Sequence, residues 1–132
     1  MAFSTELRFV QRAEQGLGVK LPRSFRDHLL LSNGGKIELL EIEWELNPVQ
    51  DTTDKERARR TVIDVVHETN EARKWRGFPS GGVSVGSDGC GNHLVFVPDA
   101  ANGAELAPQL YIWWHEGSEL EFVANDFREI AR

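Results

Sequence analysis

Over residues 3–17 the apolar positions Phe3, Leu7, Val10, Ala13 and Leu17 fall three or four apart, the spacing that lines one face of an α-helix. Ser4 or Thr5 is placed to cap its start, and Gly16 and Gly18 to stop it. A second helix is expected in the stretch LPRSFRDHLLLSNGG. Pro22 suits a first helical turn, Phe25, Leu29 and Leu30 would face the core, and Asn33-Gly34-Gly35 would supply a left-handed stop. From Lys36 the period shortens to two. Ile37 and Leu39, then Ile42, Trp44 and Leu46, alternate with Glu41, Glu43 and Glu45, which predicts a strand with one wet, acidic face.

Asn47-Pro48 breaks that strand, and in the polar stretch 51–75 the positions Ala58, Val62, Val65 or Val66, and Ala72 outline a helical stripe. Residues 77–91 hold six of the twelve glycines, so turns are expected there around a short strand at 83–85. Further strands are predicted at 94–97, 110–115 and 119–123, with His115-Glu116-Gly117-Ser118 turning between the last two. Asn125 or Asp126 should begin a final helix through Phe127 and Ile130. The order predicts one α+β domain over residues 1–132. Its sheet should be twisted and mostly antiparallel, with about 4–6 strands, two N-terminal helices, one C-terminal helix, and helices packed mainly on one face.

Composition narrows the class. With 132 residues, 40% apolar and 27% charged, the chain can bury an ordinary core without metal or disulfide. A single cysteine, Cys90, allows no internal disulfide and suits a reducing compartment. No apolar run has the length of a membrane span, and the first residues have neither a basic nor an apolar leader region, so a cytoplasmic, membrane-free location is expected.

The net charge of −6 is unevenly spread. Residues 1–36 carry six bases against three acids and 55–76 seven against four, while 37–54 carry six acids and no base and 77–132 eight acids and two bases. An acidic balance of this kind argues against a nucleic-acid binder, which needs a basic stripe along the phosphates.

Candidate chemistry is thin. His28, His67, His93 and His115 lie on four different elements without zinc-type spacing, and no metal or cofactor is expected. The segment SGGVSVGSDGCGN lacks the Gly-Lys-Ser/Thr ending of a P-loop and has too few oxygen donors for an EF-hand calcium loop. Cys90 with His93 would be the pair for a small hydrolase, but no orienting third group can be named. His115-Glu116 reads as a strand end with one side chain on each face. The aromatic residues say more. Trp113 and Trp114 are adjacent on a strand, so one indole must point away from the core if helices cover a single face, and an exposed tryptophan rimmed by glutamates has the character of a binding hot spot.

Several blocks together resemble a known family. They are Glu14 before Gly16-Leu17-Gly18, then Leu21-Pro22, Phe25, Leu29-Leu30 and Asn33-Gly34-Gly35. After these come Gly86-Ser87-Asp88-Gly89, Gly91-Asn92, Tyr111-Ile112-Trp113, His115-Glu116, Val123-Ala124 and Asp126-Phe127. In this order they resemble the SUKH superfamily, in its branch related to the yeast cell-wall-assembly regulator and to small bacterial relatives. The chain departs from the family at Trp114, usually acidic or polar, and at Asn92, often aspartate.

The resemblance implies a protein-binding α+β domain without an established catalytic role. Its small bacterial members look like immunity proteins that sequester a cognate toxin domain, and many such toxins are nucleases with basic grooves. The expectation is therefore a non-enzymatic immunity-type protein, with a regulatory or scaffolding module as the alternative. The expected contact residues are Glu41, Glu43, Trp44, Glu45, Trp114, Glu116, Glu119 and Glu121.

Overall fold

The computed structural model describes residues 2–130. Helices α1 (Leu7–Leu17) and α2 (Arg23–Leu31) come first, followed by strands β1 (Lys36–Leu39) and β2 (Ile42–Leu46). Two short helices, α3 (Lys55–Arg60) and α4 (Val65–Ala72), lead to strands β3 (Val83–Ser87), β4 (His93–Phe96), β5 (Leu110–Trp114) and β6 (Glu119–Ala124). A single 3₁₀ turn, Phe127–Glu129, stands where a terminal helix was expected, and residues 131 and 132 lie outside the described residues. Asp126 begins that turn by accepting from the Arg128 amide.

The six strands form one antiparallel meander in the order β1-β2-β3-β4-β5-β6. The sheet is strongly curled. Trp44 on β2 and Trp114 on β5 have ring centroids only 6.2 Å apart with two strands between them, where a flat sheet would separate their backbones by about 14 Å. Helices α1 and α2 fill the concave side: Phe9, Val10, Ala13, Leu17, Phe25 and Leu29 join Trp44, Leu46, Leu94, Phe96, Leu110 and Ile112 in one core. Phe25 anchors it, edge-on to Phe127 at 5.0 Å and tilted against Phe96 at 5.6 Å.

The punctuated segment around α2 is a structural corner. Pro22 begins the helix, and Gly34 and Gly35 take φ of 106° and 87°, values open to glycine, to turn the chain into β1. Asn33 does not share that left-handed backbone. Its buried side chain instead donates to the Val49 carbonyl at 2.9 Å and accepts from the Val49 amide at 2.8 Å, pinning the segment after β2 to the end of α2.

Three further expectations differ from the fold. Residues 36–46 are a hairpin, not one strand, because Leu40 and Glu41 turn the chain with φ of 55° and 62°. The stripe at 51–75 is two helices, each begun by an aspartate: Asp54 accepts from the Arg57 amide and Asp64 from the His67 amide, both at 2.8 Å. At the first helix, Thr5 is not the cap; its hydroxyl donates to the Asp51 carboxylate at 2.8 Å, tying the N-terminal segment to the chain after β2.

The convex side of the sheet is partly covered. Phe78 packs edge-on against Trp113 at 5.2 Å and His93 at 6.0 Å, and the Trp113 indole donates to the Gly77 carbonyl. Among the described residues no helix is long and apolar enough to cross a membrane.

Candidate partner-binding surface

The β1-β2 register pairs Lys36 with Glu45, Ile37 with Trp44, Glu38 with Glu43 and Leu39 with Ile42. Facing residues share a side of the sheet, so Lys36, Glu38, Glu43 and Glu45 line the convex side while Ile37, Leu39, Ile42 and Trp44 line the concave one. The hairpin thus presents four glutamates, with Glu41 at its tip, against one lysine; Lys36 reaches Glu43 at 3.5 Å across 61–69% exposed side chains. Trp44 is fully enclosed, its indole donating to the Leu39 carbonyl at 3.2 Å. This corrects its place among the contact residues: the alternation that exposes the glutamates is what buries the indole between them.

Glu43 and Glu45 line a 750 Å³ groove together with Arg59 and Arg60, and with Val62 and Ile63 from the turn between α3 and α4. Both aliphatic side chains are well exposed. Val62 was expected in a buried stripe. It is exposed because the helix has ended by Thr61, whose hydroxyl accepts from the Asp51 amide and donates to the Arg57 carbonyl.

The second group of expected residues gathers at the far end of β5 and β6. Trp113 is buried on the convex side, so Trp114 is the more accessible indole, half-buried and edge-on to Trp44. Its ring nitrogen donates to Glu121 at 2.9 Å. Glu119 pairs with Trp114 across the strands, and Glu116 stands in the turn. Cys90, Asn92, Trp114, His115, Glu116 and Glu119 border one open depression of 620 Å³. His115 and Glu116 share it because they belong to the turn, where strand alternation no longer applies.

This depression also fixes what the candidate nucleophile can do. Asp88 organises the glycine loop: its carboxylate accepts from the Cys90 amide and from the Asn92 amide and side chain. Burial alone would raise that carboxyl, but the hydrogen bonds from Asn92 and Cys90 hold it below the usual range. Asn92 in turn accepts from the backbone and Nδ1 of His115 at 3.0 and 2.8 Å, which orients the ring.

Cys90 is exposed, while His93 is buried between Phe78 and Trp113 with Nδ1 2.7 Å from the Ser84 hydroxyl. Burial lowers the pKa of His93 and outweighs the opposing pull of Asp88. The candidate Cys90–His93 pair is therefore split between an exposed loop and a closed pocket. Among the described residues no group of three or more His, Cys, Asp or Glu could hold a metal ion.

The glycine corner, the curled meander and the Asp88–Asn92–His115 loop carry the residue blocks noted in the sequence, and the model of the SMI1 / KNR4 family (SUKH-1) matches residues 6–132. The chain belongs to the SMI1 / KNR4 family (SUKH-1). No curated protein matches it. Within this SMI1 / KNR4 domain, protein–protein interaction is the function class the family suggests, and the β1-β2 hairpin and the β5-β6 turn are two acidic ends of its sheet. Leu40, Leu120 and Phe122 are also exposed apolar residues at these ends, which charge patterning does not point to. Leu40 was marked by the shift in alternation between Leu39 and Ile42. Leu120 and Phe122 lie on β6, the last strand of the sheet.

Proposed function

We propose that this protein is an immunity-type binder that neutralises a cognate bacterial toxin domain in the cytoplasm of the cell that makes it. The observation carrying this reading is the β1-β2 hairpin, which turns Glu38, Glu41, Glu43 and Glu45 to solvent with Lys36 as its one base. The end of β5-β6 extends this acidic character through Glu116, Glu119 and Glu121 around Trp114. A toxin with a basic substrate groove, such as a nuclease, fits such a surface: the carboxylates speed encounter and occupy the groove, and the half-buried indole supplies an apolar anchor. Membership of a family of protein-binding domains supports the same reading.

The test is to co-purify the protein with the product of the adjacent gene and assay that product's toxicity and enzymatic activity with and without it. Neutralisation by the wild type is expected. Replacing Glu43→Lys and Glu45→Lys together should slow association by roughly tenfold or more at low salt, with a smaller difference at high salt. A stable complex whose rate and salt dependence ignore both reversals removes the hairpin from the interface.

A further inference from the structure

Strand β6 closes the sheet, bonded to β5 along one side and to no other strand among the described residues along the other. An open edge presents a row of backbone N–H and C=O groups able to pair with an incoming strand. The register sorts its side chains cleanly. Glu119 and Glu121 face Trp114 and Ile112, whereas Leu120 and Phe122 face Trp113 and Tyr111 on the convex side. Leu120 is 42% and Phe122 51% exposed, and Tyr111 meets the Phe122 ring edge-on at 5.9 Å. One exposed apolar side chain is ordinary; two on one face of an unpaired edge strand form the strip that the side chains of an added strand would cover.

The charge on the other face selects the occupant. Among the described residues no lysine or arginine forms an ion pair with Glu119 or Glu121. Two copies joined antiparallel along β6, in any register that also brings Leu120 and Phe122 together, would set the four carboxylates of the pair on one shared face. Like charges across strands are destabilising, so self-association is opposed.

We propose that β6 is a strand-addition site for an extended segment of the partner protein in which basic and apolar side chains alternate. The basic ones meet Glu119 and Glu121, and the apolar ones cover Leu120 and Phe122. The inference rests on the toxin-binding reading for the source of that segment, and adds to it the edge used and the pattern recognised.

The intact protein is titrated with a peptide of about ten residues of strictly alternating lysine and valine, with amide exchange followed along the chain. The β6 amides should slow by at least about tenfold, and the affinity should fall about tenfold or more between about 50 and about 300 mM salt. A peptide with the lysines and valines in two blocks should do neither. Leu120→Lys with Phe122→Lys, both at exposed positions, should abolish binding of the alternating peptide. The wild-type exchange map decides the matter even if that variant fails to fold. Equal response to the blocked peptide, protection away from β6, no protection at all, or a concentration-dependent dimer joined through β6 overturns the proposal. A folded variant that still neutralises the toxin as strongly as the wild type overturns it too, while leaving the immunity reading intact. A wild type that takes the peptide on β6 but neutralises nothing leaves the edge site standing and removes the toxin.

Discussion

Asn33→Ala tests the corner on which the acidic hairpin is mounted. The Asn33 side chain is buried and satisfies both the amide and the carbonyl of Val49, itself fully enclosed. Alanine leaves those two backbone groups unpaired, at about 1–3 kcal/mol each. The expected loss is therefore about 4 kcal/mol, a large part of the 5–15 kcal/mol typical of a whole domain. At the entropy of unfolding usual for a chain of 132 residues, about 3.5 °C per kcal/mol, the thermal midpoint should drop by about 14 °C. The urea midpoint should fall by about 2 M.

Asn33→Asp sharpens the assay. Its carboxylate still accepts from the Val49 amide but sets a second oxygen against the Val49 carbonyl, and burial with that repulsion raises the folded-state pKa. Such a group contributes stability while protonated and loses it as pH rises through the folded value. The aspartate variant should thus lie closest to wild type at acidic pH and fall away toward neutrality. An alanine variant within about 1 kcal/mol of wild type, or an aspartate variant that tracks wild type at every pH, refutes the reasoning.

Two further outcomes follow from strain and from burial. Leu40 and Glu41 hold left-handed backbone without being glycine, so Leu40→Asn with Glu41→Gly, the residues such a two-residue turn prefers, should stabilise the fold by about 1 kcal/mol; calorimetry showing a lower thermal midpoint would count against a strained tip. Burial depresses the pKa of His93, so the unfolded chain binds the extra proton once pH falls below about 6.5. Stability should decline there by up to about 1.4 kcal/mol per pH unit for this one group. Urea midpoints between about pH 7.5 and 5 should show that slope in the wild type and a shallower one in His93→Gln; equal slopes would exclude His93 as the source.

Much of the fold was legible because its signals are local. Period-three and period-four spacing marked α1 and α2, and apolar runs marked β4 and β5. The errors arose where a one-residue feature carries the information. The hairpin at 36–46 hides in a shift of alternation from odd to even positions at Leu40-Glu41, a pair without the usual glycine. The break between α3 and α4 hides in Asp64, a cap recognisable only through the His67 amide it accepts from. Trp44 was misplaced for a different reason: the pattern that exposes Glu43 and Glu45 buries the residue between them, and charge density along the chain cannot show which side a neighbour takes.

Strand alternation also sets what a partner must look like. The eight expected contact residues do not make one continuous acidic sheet face. Glu43 and Glu45 lie on the convex side beside Arg59 and Arg60, while Glu119 and Glu121 share the side of Trp114. What brings the two groups near each other is the curl of the sheet, which places Trp114 against Trp44 although they stand on β2 and β5. A flat basic plate could therefore engage only one group. A partner that engages both must wrap the end of the sheet where the β1-β2 tip and the β5-β6 turn project, with its positive charge on two surfaces meeting at an angle. On the proposed toxin-binding reading, a substrate cleft with two walls meeting at an angle would meet that requirement, whereas a complex seated on a single flat face would point to a regulatory partner.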